Sequence, residues 1–203
     1  MTDNDAKKAL IKLNFSPIDI AKLEEFRLFL LDYNSRYNLI SKGTEKSIWS
    51  RHILDSAQLV KHFNCNISGN LADLGSGAGF PGIILSIFNK NPNFHVKLYE
   101  KSKVKRDFLN IVKELLSINF EINNNVYEKT INADIVVSRA FKKLSEIIKI
   151  SREIVKKPHK IIILKGKSAQ AEINTISLAS NYSYKLVNSI TDSDSRIILI
   201  EAR

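Results

Sequence analysis

An open α/β sheet, doubly wound and mostly parallel, with an antiparallel hairpin at its C-terminal edge and a helical extension before it, is the fold predicted for this 203-residue chain. Three observations predict it. From residue 70 onward short apolar runs alternate with amphipathic helical stretches, the order that parallel strands joined by crossover helices produce. The last two apolar runs are joined only by the polar turn "ITDSDS", which leaves no room for a crossover, so they pair antiparallel. Before residue 70 the apolar spacing is helical and no strand pattern is present.

Taken in order, Ser16 and Pro17 form an N-cap and first-turn pair, followed by Leu23, Phe26, Leu30 and Tyr33 at near-helical spacing. A second helix is predicted over 44–63, with Thr44 as cap, Ile48, Trp49, Ile53, Leu59, Val60 and Phe63 on one broad face, and "NCNISGN" ending it. Met1 to Lys12 reads as polar and resembles no signal peptide. Strands follow at "LADL", "HVKLYE", "FEINN", "ADIVVS", "KIIILK", "YSYKLVNS" and "SRIILIEA", with helices near 81–89, 103–117, 142–156 and 169–180. Residues 1–69 are expected to pack as an extension on a core of residues 70–203, giving one compact domain, since no repeat or linker divides the chain.

Composition narrows the function. One cysteine, Cys65, excludes a disulfide framework and a Cys-rich zinc site, and implies a reducing cytoplasm. His52, His62, His95 and His159 show no metal-ligand spacing, so no metal is expected. No apolar run approaches the roughly 20 residues of a membrane span, so no membrane role is expected. Lys and Arg outnumber Asp and Glu by 31 to 21, a net charge of +10 that draws polyanions, nucleic acid first, although lysine also serves as plain surface filler.

Four of the seven glycines fall in "LADLGSGAGFPGIIL", between the first predicted strand and the next helix. A glycine turn there lets backbone amides approach a ligand, and the helix N-terminus favours a negative group. Residues 77–82 read G-x-G-x-x-G, a weak sign of a nucleotide-type cofactor by itself. No Lys-Ser/Thr pair follows, which excludes a Walker phosphate loop. Asp73 extends the pattern to D-x-G-x-G-x-G, and Glu100 ends the next strand about 20 residues on, where a carboxylate holds ribose hydroxyls. A nicotinamide dinucleotide and S-adenosylmethionine both fit such a loop. Asp73 favours the second, because a carboxylate repels a pyrophosphate and attracts the ammonium of a methionine moiety.

Other residues carry weaker readings. Arg51, His52, Asp55 and Ser56 supply the ingredients of a hydrolase triad, but on one helix Arg51 and Asp55 are more simply an i,i+4 ion pair. Lys165 is either a strand-end cation or an active-site group, and Arg196 either an edge-strand charge or a rim contact to RNA.

"NLISKGTEKSIWSRHILDS", "DLGSGAGFPGIILSI", "VVSRAF", "LKG" and "SRIILI" together resemble the RsmG family, also called GidB, in order and spacing over residues 33–201. The resemblance implies a Rossmann-like class I methyltransferase that uses S-adenosylmethionine to methylate N7 of one guanine in the decoding-region loop of 16S ribosomal RNA. It matches Gly75 and Phe80 to cofactor contacts in the glycine loop and Glu100 to the ribose acid; Asp73, Ser76, Gly77 and Gly79 are the remaining cofactor candidates from the loop pattern itself. Val126 and Tyr127 fall where the family flanks the adenine, although Asn125 stands for its usual Arg and Tyr127 for its first Glu. Arg139 matches a residue facing cofactor and substrate, and Lys165 is a second catalytic candidate. Lys105, Arg106, Lys142, Lys143, Lys165 and Arg196 are the candidate RNA contacts. The implied partner is 16S rRNA in the small ribosomal subunit or its precursor, and the implied state is a cytoplasmic monomer. An oxidoreductase, or an RNA-binding module of the same fold without activity, are the rival readings.

Overall fold

The structure, a computed structural model, describes residues 1–128, 130–176 and 182–202. Seven strands form one sheet: β1 (Gly69–Leu74), β2 (Phe94–Tyr99), β3 (Glu121–Asn123), β4 (Ile135–Arg139), β5 (His159–Lys165), β6 (Tyr182–Asn188) and β7 (Arg196–Ala202). Their order is β3-β2-β1-β4-β5-β7-β6. The first five are parallel; β7 runs antiparallel between β5 and β6, with Ile161 opposite Ile200 and Ile163 opposite Ile198. All seven strands lie where the apolar runs predict them.

The central strands read as unbroken apolar runs because both of their faces are covered. Along β4 and β5 the period of two divides the core: Ile135, Val137, Ile162 and Leu164 face one cluster, while Val136, Ile161 and Ile163 face the other. The helices α4 (Gly82–Phe88) and α5 (Lys103–Leu116) pack into the first cluster, and α6 (Leu144–Ile154) and α7 (Ala169–Asn174) into the second. The predicted helix 169–180 therefore ends earlier, and residues 177–180 lie outside those described.

Two helical expectations need correction. Residues Asp3–Lys12 form a helix, α1, opened by a capping box in which Thr2 and Asp5 exchange hydrogen bonds. Only Ala6 and Leu10 of α1 are buried, so the segment looks merely polar in sequence. The helix α2 (Pro17–Asn34) starts on the predicted Ser16–Pro17 pair, with Ser16 and Asp19 forming a second capping box. Residues 44–63 are not one α-helix. A 3-10 turn (Lys42–Ser47), a π-helical turn (Trp49–Leu54), a single α turn, α3 (Asp55–Ala57), and another 3-10 turn (Gln58–His62) follow each other. Thr44 is no N-cap: its hydroxyl lies inside the first of these turns, donating to the Ser41 carbonyl at 2.8 Å.

The N-terminal helices share the first core cluster with the sheet. Phe26 of α2 is fully buried, with its ring 5.4 Å from Phe80 and 6.4 Å from Phe108. Lys7 of α1 pairs with Glu24 at 2.9 Å and lies 4.5 Å over the Trp49 ring, tying three N-terminal elements together. No helix among the described residues is long and apolar enough to cross a membrane. Replacing Phe26 with Ala should cost about 3–5 kcal/mol through the cavity it leaves. In thermal unfolding this appears as a fall in Tm on the order of 10 °C. Helical and sheet signals should still disappear in one transition; two separate transitions would show the extension to be an independent unit.

Candidate functional site

The strand order reverses between β1 and β4, and in open α/β sheets ligands bind at the carboxyl ends of the strands beside such a point. Here the segments after β1, β2, β3 and β4 converge on a cleft of about 490 Å³, within the usual range of roughly 300–1,000 Å³ for small-molecule sites.

Its floor is the glycine turn. The amides of Gly75 and Ser76 both donate to the Tyr99 carbonyl, at 2.9 and 3.1 Å, which docks the turn on the end of β2. Gly75 has φ +73°, and a Cβ there would lie 2.1 Å from the Phe141 ring, so this position takes no side chain. Gly77 has φ +57° but a different surrounding: its Cβ would meet only the Gly75 carbonyl oxygen, at 3.9 Å. Gly77 lines the cleft, so the missing side chain leaves room there.

Glu100 fixes the turn from the side. One of its carboxylate oxygens accepts from the Gly77 amide at 2.9 Å, the other from the Ser102 amide at 2.7 Å. Arg106 donates to the carbonyls of Glu100 and Lys101 and to Asn124 Oδ1, at 2.7–2.9 Å, so it braces this corner. Asp73 does not line the cleft. It is fully buried beneath the turn, accepts from the Gly82 amide at 2.9 Å through Oδ2, and leaves Oδ1 without a partner. Burial pushes its carboxyl up to about 7, against the opposing pull of the Gly82 amide, Ser76 and Arg139.

Arg139, at the end of β4, joins the cleft to the N-terminal segment. Its guanidinium donates to the Arg51 carbonyl at 3.0 Å and to His52 Nδ1 at 2.7 Å, and lies 4.9 Å over the Phe80 ring. The Arg51–Asp55 pair expected from sequence does not form. Arg51 lies 3.9 Å from Asp192, while Asp55 accepts from Gln58 and Thr191 and has Arg139 at 3.9 Å. His52 is buried, and burial with Arg139 and Arg51 nearby pushes its pKa down to about 3, so the ring is neutral. The next residue, Ala140, lines the cleft at φ +50°, a strained region for a residue with a Cβ.

Of the remaining sequence candidates, Ser76, Phe80, Val126, Tyr127, Lys105 and Lys142 line the cleft. Val126 is buried, whereas Tyr127 is 52% exposed at the lip. Gly79, Lys143, Lys165 and Arg196 do not line it. Lys165 donates to the Lys142 carbonyl at 2.7 Å and pairs with Glu172 at 2.9 Å, which braces the segment after β4. Arg196 donates to the Ser193 and Ser195 carbonyls and closes the turn between β6 and β7. Sequence reasoning missed Leu39 and Ile40 as a cleft wall. Both amides donate to Asn34 Oδ1, at 2.8 and 2.9 Å, and no titratable group marks them in the sequence. Tyr99 and Phe141 also line the cleft, although the sequence shows them only as a strand residue and as part of "VVSRAF".

The family described as rRNA small subunit methyltransferase G matches residues 19–198. The chain belongs to that family. A relative from Orientia tsutsugamushi (strain Ikeda), called ribosomal RNA small subunit methyltransferase G, is 39% identical over 193 residues, 94% of each chain. One of the same name from Pelagibacter ubique is 35% identical over 188 residues, 88% of each chain. Among solved structures, an S-adenosylmethionine-dependent methyltransferase from Aquifex aeolicus superposes with TM-score 0.61 at 17% identity, over 79% of this chain and 94% of that one. A ribosomal protein L11 methylase from Lactobacillus delbrueckii subsp. bulgaricus gives 0.56 at 12%, over 74% and 77%. The rRNA small subunit methyltransferase G family member described here thus has the class I Rossmann-like methyltransferase fold.

Asp73 gives a stability test of this site. Its folded pKa lies above the unfolded value, so its contribution is fully present below the unfolded pKa of 3.8 and is lost as pH rises through about 7. Asp73→Asn should keep the bond from the Gly82 amide and flatten the decline of unfolding free energy between about pH 4 and 7. Denaturant titrations of both proteins across that range check it; equal slopes would remove Asp73 as the source.

Proposed function

We propose that this chain transfers a methyl group from S-adenosylmethionine to N7 of one guanine in the decoding-region loop of 16S ribosomal RNA, acting as a cytoplasmic monomer. The observation that carries the reading is the cleft, where open room at Gly77 adjoins a carboxylate, Glu100, already oriented by two backbone amides. Membership of an rRNA methyltransferase family supports the substrate class.

The residues fit this cofactor. Glu100 keeps lone pairs for ribose hydroxyls, because each carboxylate oxygen accepts more than one hydrogen bond. The apolar Val126 and the Tyr127 ring suit an adenine, the ring by stacking, so the exchange of the family's usual Glu for Tyr127 leaves that role served. Asp73, buried beneath the turn with its carboxyl raised to about 7, supports the site by holding the Gly82 amide at the start of α4. When bound, the cofactor supplies an electrophilic methyl carbon on a sulfonium sulfur.

Guanine N7 carries a free lone pair and loses no proton on methylation, so the chain needs no general base. What remains is alignment and exclusion of water. Arg139 is assigned to a phosphate or to the cofactor carboxylate, since the purine itself becomes cationic. Lys101, Lys105, Lys142 and Lys143 are assigned to RNA phosphates near the cleft; Lys142 already pairs with Glu146 at 2.9 Å, but that carboxylate is exposed and a phosphate can replace it. Lys165, Arg106 and Arg196 are assigned bracing roles instead, because carbonyls and carboxylates of the chain already engage them.

S-adenosylhomocysteine should raise Tm by mass action. Gly77→Val, whose side chain projects into the open room, should remove most of that rise; an unchanged rise would move the cofactor away from the turn. Methylated small subunits should be cut at one guanine by borohydride and aniline, because an N7-methylated purine has a labile glycosidic bond. Methyl incorporation without such a cut would assign another atom.

A further inference from the structure

The proton arrangement between the cleft and the N-terminal segment has one solution. A guanidinium has only donors, so the 2.7 Å contact between Arg139 and His52 requires Nδ1 to accept. In a neutral ring the single proton then sits on Nε2, which lies 2.8 Å from Thr44 Oγ1 and donates to it. The Thr44 hydroxyl in turn gives its own proton to the Ser41 carbonyl, at 2.8 Å. A cation at the ring would put two donors face to face, and the buried position of His52 beside Arg139 and Arg51 opposes that charge.

We propose that His52, held by Thr44 as the Nε2–H tautomer, is a positioning residue that fixes the Arg139 guanidinium at the cleft for methyl transfer. The proposal rests on the reaction assigned above. Arg139 has five N–H donors, and one to the Arg51 carbonyl and one to His52 commit it to the N-terminal segment, leaving the others for the cleft. A competing partner is close: Asp55 Oδ2 lies 3.9 Å from the guanidinium. Without the His52 lone pair, Arg139 closes on Asp55 and turns from the cleft. Phe80, which lines the cleft, supports both groups, 5.1 Å from the His52 ring and 4.9 Å from the guanidinium carbon. The π-helical turn Trp49–Leu54 brings the Arg51 carbonyl and His52 to the same guanidinium, and such turns recur at functional sites.

Thr44 does not line the cleft, so Thr44→Val tests the arrangement from outside it. His52→Asn places an amide near the level of Nδ1 and keeps an acceptor for Arg139, whereas His52→Gln places it near Nε2 and does not. Each protein is assayed for Tm, for S-adenosylhomocysteine affinity by calorimetry, and for single-turnover methylation of small subunits from a strain lacking the enzyme. Misalignment predicts that His52→Gln slows methyl transfer about tenfold or more while cofactor-product affinity stays within about twofold. His52→Asn should be faster than His52→Gln by about fivefold, Thr44→Val should be slow, and Thr44→Ser should restore the rate. Equal losses in both His52 variants, in step with their Tm, would reduce His52 to a packing residue. Nitrogen-15 shifts of the wild-type ring read the tautomer without turnover, and a proton on Nδ1 overturns the proposal whatever the activity. A wild-type chain that binds S-adenosylhomocysteine but methylates no subunit would instead sink the assigned reaction, while the tautomer result still stands on its own.

Discussion

The Glu100 carboxylate, accepting from the amides of Gly77 and Ser102, is the interaction on which the cleft depends. Parallel strands β1 and β2 end side by side, and each must turn away without leaving its last amides unpaired in a buried place. One carboxylate serves both turns at once. The Tyr99 carbonyl, taken by Gly75 and Ser76, completes the junction. From that junction the rest follows in register: Gly75 packs against Phe141 and sets the distance to the segment after β4, and Asp73 holds the start of α4 through the Gly82 amide.

The parts of the fold legible in the sequence are those where burial alone decides. β5 reads as Ile161, Ile162, Ile163 and Leu164 because both faces of the sheet are covered, and any chain with that run has few alternatives. α1 was illegible because two buried positions in ten give no stripe. The break of residues 44–63 into unlike turns was illegible for another reason. Its cause lies in partners distant in sequence, Arg139 for His52 and Thr191 for Asp55, which draw side chains and carbonyls out of a regular helix.

The site divides along the same line. Glycine spacing and the position of Glu100 mark the turn, because only a bare backbone beside an acid does that work. Charge, by contrast, is ambiguous in sequence. Lys165 and Arg106 look like free cations until Glu172, Lys142, Lys101 and Asn124 are seen to engage them. The Leu39–Ile40 wall carries no charge at all, and the buried Asn34, which accepts from both amides, helps to place it.

The position of β7 has a consequence for the order of assembly. It follows β6 in sequence, yet it sits between β5 and β6 and, among the described strands, is the one that pairs with the second edge of β5. While the chain emerges from N- to C-terminus, β1 to β5 can associate, but the isoleucine-rich edge of β5 stays open until residues 196–202 arrive. An unpaired apolar strand edge is a template for pairing with another chain. During synthesis, the nascent chain is therefore most prone to aggregate after β5 has emerged and before residues 196–202 follow, when β1 to β5 are formed and the strand that covers the open edge is still to come.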